Sequence, residues 1–243
     1  MIVAQLSDIH ADGSSEALER LDRVLRWLRP MRPEAIIVSG DLAEVAHKES
    51  YRAIHDRLDA TGSPFYVVPG NVDEHGDMRR EFGERFGWTE DRPLNCVGRV
   101  GAELRLVGLD VTVAGAHHGD AMPVLEWLAE ELNAGGPPVL MFQHQHPFRC
   151  GIEGKDRNIC RGGDALAQVI SEARDPVVAL TCGHVHRPMF TRFAGRPATM
   201  CPSVARANRL RLDGKDPEIS DPPGLLLHHF QDELLVSHVV MVS

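Results

Sequence analysis

No window of the chain approaches the ~18 consecutive apolar residues that a membrane span requires. No C-x-x-C pair occurs either: the five cysteines (Cys96, Cys150, Cys160, Cys182 and Cys201) are odd in number and scattered. That set argues against a disulfide framework and for free thiols in a reducing compartment. Positive charge is in short supply, with 26 Lys and Arg against 35 Asp and Glu and a formal net charge of −9. Binding to a nucleic-acid polymer through a basic face is therefore disfavoured. The first apolar run stops at Leu6 and is followed by Ser7 and Asp8, which does not read as a secretion signal. The expectation is a cytoplasmic protein with no membrane partner.

What the chain does have is a series of short apolar runs, each ending near a side chain that can ligate a metal. The run at 1–6 leads to Asp8 and His10, and that at 36–38 to Asp41. Residues 65–68 lead to Asn71, 139–142 to His144, and 177–180 to His184 and His186. Runs of this length and β-branched content predict buried strands, and open α/β sheets collect ligands at the carboxyl ends of such strands. Taken singly, D-x-H is a weak motif, and G-D or G-N reads more simply as a turn or helix cap. Gly183-His184-Val185-His186 is more specific, because paired histidines at a strand end rarely serve core packing. Taken together and in order, the motifs point to a site for two divalent metal ions. Carboxylate, amide and imidazole donors suit Mn, Fe or Zn better than Ca or Mg.

Between these runs the periodicity turns helical. Leu18, Leu21, Leu25 and Leu28 share one face of a helix capped at Ser14 or Ser15. Further helices are expected at 47–58 and 77–86, after Pro123 with Val124, Leu128 and Leu132 inward, and around Leu166, Val169 and Ile170. Strands are expected at 97–100 and 103–108, and residues 151–163 read as a Gly-rich loop. Beyond Met189 the pattern becomes two hairpins, 190–193 with 198–200 and 225–230 with 234–241, separated by a polar loop at 206–223. The chain of 243 residues reads as one α/β domain.

The motif series resembles that of the calcineurin-like metallophosphoesterases, and its short form resembles the class III cyclic-nucleotide and glycerophosphodiester phosphodiesterases. The resemblance implies a four-layer α/β/β/α sandwich of two mixed sheets with helices on the outer faces. It implies that Asp8, His10 and His186 hold one ion, that Asn71, His144 and His184 hold the other, and that Asp41 bridges them. It also implies hydrolysis of a small phosphodiester by a hydroxide held between the ions, and a possible homodimer. A phosphomonoesterase on the same site and a non-catalytic metal-binding scaffold are the alternatives. Residues 115–132, with His118-Gly119 ahead of a Trp-Leu helix, resemble the family's loop and helix; His117 and His118 are candidates to line the phosphate site, or else lie on a surface loop, and His118 is the candidate catalytic residue.

One position departs from the pattern. The family's G-N-H-[DE] motif stands here as Gly70-Asn71-Val72-Asp73. The missing histidine is the one proposed to protonate the leaving oxygen, and Val72 has no proton to give. His75, three residues on, takes that role only if its loop folds back; otherwise it is an exposed loop histidine. His146 is read as a supporting or structural residue beside His144. His228, His229 and His238 are read as structural, and His47 and His55 as lying on a solvated helix face.

Overall fold

A computed structural model of the chain describes residues 1–207, 210 and 222–243. The first apolar runs pair as parallel neighbours, β1 (Ile2–Leu6), β2 (Ala35–Ser39) and β3 (Phe65–Val68). Helix α1 (Ser15–Leu28) connects β1 to β2, and α2 (Glu49–Asp59) connects β2 to β3. Helix α3 (His75–Phe86) follows β3 and starts two residues earlier than the apolar period predicts. These crossovers place the helices on one face of the sheet, as parallel pairing demands.

The chain then builds a second sheet. Strands β4 (Cys96–Val100) and β5 (Leu104–Leu109) form an antiparallel pair. A two-residue strand β6 (Gly119–Asp120) precedes α4 (Leu125–Asn133), and β7 (Val139–Gln143) lies parallel to β5. The Gly-rich stretch is not bare loop: it holds α5 (Glu153–Asp156) and β8 (Cys160–Arg161), which pairs with β6. After α6 (Gly163–Glu172) comes β9 (Val177–Cys182), parallel to β7. The expected first hairpin is β10 (Met189–Phe193) with β11 (Arg196–Met200), and β11 also lies parallel to β9. The second hairpin, β12 (Gly224–Gln231) with β13 (Leu234–Met241), returns to the first sheet beside β1. The polar segment 206–223 lies for the most part outside the described residues.

The apolar side chains sort into three layers, and these make the four-layer α/β/β/α sandwich. Ile36 and Val38 of β2 face α1 and α2, whereas Ala35 and Ile37 face the other sheet. Likewise Val139 and Met141 of β7 pack under α4 and α6, and Leu140 and Phe142 face inward. A strand apolar on both faces is what burial between two covers requires.

A polar seam crosses the layer between the sheets. Gln5 Nε2 donates to Ser39 Oγ at 2.8 Å, and its Oε1 accepts from Thr181 Oγ1 and from His228 Nε2 at 3.0 Å. Burial pushes the pKa of His228 down to about 4, so the ring is neutral and its Nδ1 accepts from Ser237. His228 is thus structural, as its place in a C-terminal strand suggests. His55 does not lie on a solvated face: it is partly buried, hydrogen-bonded to Glu81 at 2.6 Å and edge-on to Phe65.

Candidate metal centre

All five motif-bearing strands, β1, β2, β3, β7 and β9, end on the same rim of the two sheets. The chain must leave each strand sharply, and the backbone shows it. Asp8, His10, Asp41, His184 and His186 are non-glycine residues with φ between 48° and 73°. This left-handed region is disfavoured for L residues and is retained where the surroundings dictate it, often at functional sites. The glycines of the motifs have a different reason. A Cβ on Gly40 would stand 2.6 Å from His144 Nδ1 and 2.8 Å from the Gly70 nitrogen, and one on Gly183 would meet Asp8 Oδ2 at 2.9 Å. The strand ends approach too closely for any other residue.

Asp8, His10, Asp41 and His186 bring their donor atoms within 4.8 Å of one another. His10 donates from Nδ1 to Glu44 at 2.6 Å, and His186 from Nδ1 to the Arg206 carbonyl at 3.0 Å. Each ring therefore turns its Nε2 inward, and the two nitrogens face each other at 3.1 Å. Two lone pairs at that distance need a proton or a cation between them. His144 follows the same logic, with Nδ1 donating to the Ser39 carbonyl at 2.7 Å. Asp41 Oδ2 stands 3.4 Å from His10 Nε2 and 3.2 Å from His144 Nε2. One carboxylate oxygen thus faces both halves of the cluster.

The second half consists of buried atoms without hydrogen-bond partners. Asn71 Oδ1, His144 Nε2 and His184 Nε2 are such atoms, and the His144 and His184 rings stand edge-on at 5.1 Å. Buried polar atoms left unpaired are costly and rare. Three of them beside a carboxylate fit a cation.

The electrostatics agree. Burial favours the neutral acid at Asp41, yet His144 and His10 hold its pKa down to about 2. Asp8, also buried, is held well below the usual carboxylate range by His186 and its neighbours. Burial alone would lower His144, but the Asp41 carboxylate reverses this and leaves its pKa raised to about 9. At His184 burial, with His144 and Lys155 nearby, outweighs the pull of Asp41 and holds it well below the ordinary value. The Asp41 carboxylate thus favours a second proton on His144 when no cation competes.

Two supporting residues were not picked out from the sequence. Glu44 fixes the tautomer of His10, a role that commonly raises the basicity of a ligand. Asp73 accepts from the backbone nitrogens of Leu42, Ala43 and Gly70 and from the Tyr51 hydroxyl, so it ties the loop after β2 to the loop after β3. The acidic residue closing Gly70-Asn71-Val72-Asp73 was its only sequence signal. Val72 contributes its backbone nitrogen, which donates to Asp41 Oδ1 at 3.0 Å.

His75 does not sit on a loop folded back toward the cluster. It opens α3, and its Nε2 lies 2.9 Å from Asp110 Oδ2 and 3.0 Å from Thr112 Oγ1. In the loop before β6, the imidazole beside Asn71 is that of His117, with Nδ1 3.5 Å from Asn71 Nδ2, and His118 follows it.

The family model for calcineurin-like phosphoesterases matches residues 1–188 of this chain, from β1 through the Gly183–His186 turn. The chain belongs to this family. Among calcineurin-like phosphoesterases, a probable glycerophosphodiester phosphodiesterase of Arcobacter nitrofigilis is 31% identical over 96% of this chain and 90% of its own length. A cAMP/cGMP dual specificity phosphodiesterase of Mycobacterium tuberculosis is 28% identical over 82% of this chain and 66% of its own. A solved dimetal phosphatase from Danio rerio shares the fold, with a TM-score of 0.70 over 100% of this chain and 99% of that one at 13% identity.

Proposed function

We propose that this phosphoesterase hydrolyses small phosphodiesters, cyclic nucleotides or glycerophosphodiesters, at a site for two divalent ions of Mn, Fe or Zn. The observation that carries the proposal is the placing of Asp41 Oδ2 between the His10 and His144 rings. Asp8, His10 and His186 would hold one ion, Asn71, His144 and His184 the other, and Asp41 both. When bound, two such ions supply Lewis acidity at the phosphoryl oxygens and lower the pKa of a water between them. The protein's own part is to turn the imidazole Nε2 atoms toward the ions, which Glu44 and the Ser39 and Arg206 carbonyls achieve by accepting hydrogen bonds from the Nδ1 atoms. A cavity of about 440 Å³ opens against His10 and His186 on the side of Asp12, Ser14 and Glu44.

The leaving alkoxide needs a proton. His118 is the candidate that the resemblance supplies, and His117, which precedes it in the same loop, is the imidazole beside Asn71. His75 could serve only by giving up its bond to Asp110. The cytoplasm suits the five free cysteines, four of them buried, and no helix among the described residues is long and apolar enough to cross a membrane.

The direct test is hydrolysis of bis-nitrophenyl phosphate by Mn-loaded protein, with loss on chelation and restoration by added metal. No release above a metal-only control sinks the enzyme reading and leaves a metal-binding scaffold. Faster turnover on nitrophenyl phosphate itself would make the chain a phosphomonoesterase.

The pKa of His144 sets a second test. In the ion-free chain His144 carries a proton below about pH 9, and an entering ion must displace it. Ion affinity should therefore increase as the pH is raised and level off near pH 9, with about a tenfold gain per pH unit from this one proton. Competition against a chelator indicator at a series of pH values measures it. A flat profile would remove His144 from the ligand set.

A further inference from the structure

His146, Cys150 and Asp156 form a second cluster, and none of the three belongs to the site described above. Their donor atoms lie within 4.8 Å of one another. His146 is fully buried, and neither of its ring nitrogens has a hydrogen-bond partner. The nearest carboxylate oxygen, Asp156 Oδ1, stands 4.0 Å from His146 Nε2, too far for a hydrogen bond. A buried imidazole with both nitrogens unpaired is hard to explain as packing, because one of them always carries a proton and the other a lone pair.

The carboxylate is held in place from the far side. Asp156 Oδ1 accepts from the Cys150 backbone nitrogen at 2.7 Å, and Oδ2 from that of Gly151 at 3.2 Å. A carboxylate has about four acceptor positions, so both oxygens keep capacity toward His146 and Cys150. Cys150 is the one cysteine of the five that is not buried, so an ion can reach its sulfur. Imidazole, thiolate and carboxylate together form a donor set suited to zinc, with a fourth position left for water.

We propose that His146, Cys150 and Asp156 bind a third divalent cation, of the zinc type, at a mononuclear site. On binding, the Cys150 thiol releases its proton to solvent as the metal–sulfur bond forms, and no oxidant or reductant takes part. The site shares no residue with the proposed two-ion centre and does not rest on it. Its effect would be to close the ten-residue step from His146 to Asp156 into a rigid loop. That loop already leans on the other centre, because Lys155 Nζ donates to the His184 carbonyl at 3.0 Å. The His146 and His184 rings lie 5.8 Å apart.

Cobalt(II) tests this through a signal that the two-ion centre cannot give, since that centre has no sulfur donor. Titration of metal-free protein with cobalt(II) should produce a thiolate-to-cobalt charge-transfer band in the near ultraviolet. Cys150→Ser should lose the band, whereas Asp41→Ala should keep it while losing the two-ion centre. A second measurement needs no variant: zinc should slow alkylation of Cys150 in the native protein by about tenfold or more, read by mass spectrometry. Absence of the band, a band of equal strength in Cys150→Ser, or alkylation unaffected by zinc would each overturn the proposal.

Discussion

Replacing Asp41 by alanine should abolish turnover and empty both positions of the two-ion centre together. Asp41 Oδ2 stands near imidazoles of both halves, 3.4 Å from His10 Nε2 and 3.2 Å from His144 Nε2. Its other oxygen is already committed to the Val72 backbone nitrogen at 3.0 Å, so the bridging oxygen has no substitute within the same side chain. Loss of the charge also leaves His10 and His144 with Asp8 as the remaining carboxylate of the cluster, and cation binding weakens further. The expected fall in rate is about 10³-fold or more, since the ions supply several kcal/mol of transition-state stabilisation. His186→Ala and Asn71→Ala should act on one position each: the first leaves the Asn71 side loaded, the second the Asp8 side. Metal analysis of the three purified variants distinguishes them, and equal losses in all three would show that the division of donors is wrong.

The second large effect is expected at position 72. With no imidazole there, expulsion of a poor leaving group depends on His118, on His75 or on water. General acid catalysis typically contributes ~10²–10⁴-fold, and its absence shows as a steep fall in rate as the pKa of the leaving alcohol rises. Val72→His should flatten that dependence and raise turnover of alkyl diesters more than that of nitrophenyl diesters. The substitution keeps the backbone nitrogen that holds Asp41, so the gain should not be masked by loss of the centre. His75→Ala should cost little, because His75 is engaged with Asp110 and Thr112. A series of diesters of graded leaving-group pKa decides the matter. A shallow dependence in the native protein would say that the ions and water suffice. A selective loss of alkyl turnover in His75→Ala would assign the proton to that residue.

The fold was legible because each ligand motif follows a run short and apolar enough to be a strand buried on both faces, as Ile36–Val38 and Val139–Phe142 are. The same runs announce the rim, since a parallel strand can present functional groups only where it ends. Supporting residues were harder to see. Glu44 acts through one hydrogen bond to His10, and Asp73 through several to backbone nitrogens after β2 and β3 and to Tyr51, and no spacing rule ties partners that meet only in three dimensions. His75 illustrates the converse. Three residues from Val72 it looks close to the site, but α3 begins there and turns the ring to Asp110. His146 was assigned a minor part beside His144, but both lie past the end of β7, where the strand's alternation no longer holds, and His146 meets Cys150 and Asp156 instead.

The left-handed backbone at Asp8, His10, Asp41, His184 and His186 has a consequence for how such a chain can change. Each of these residues costs about 1 kcal/mol relative to glycine in the same conformation. Heat resistance and ion capture therefore pull these five positions in opposite directions. A lineage screened for melting temperature alone would drift there toward glycine, keeping both sheets while shedding its donors. The rim is the part of this fold that stability would not have preserved on its own.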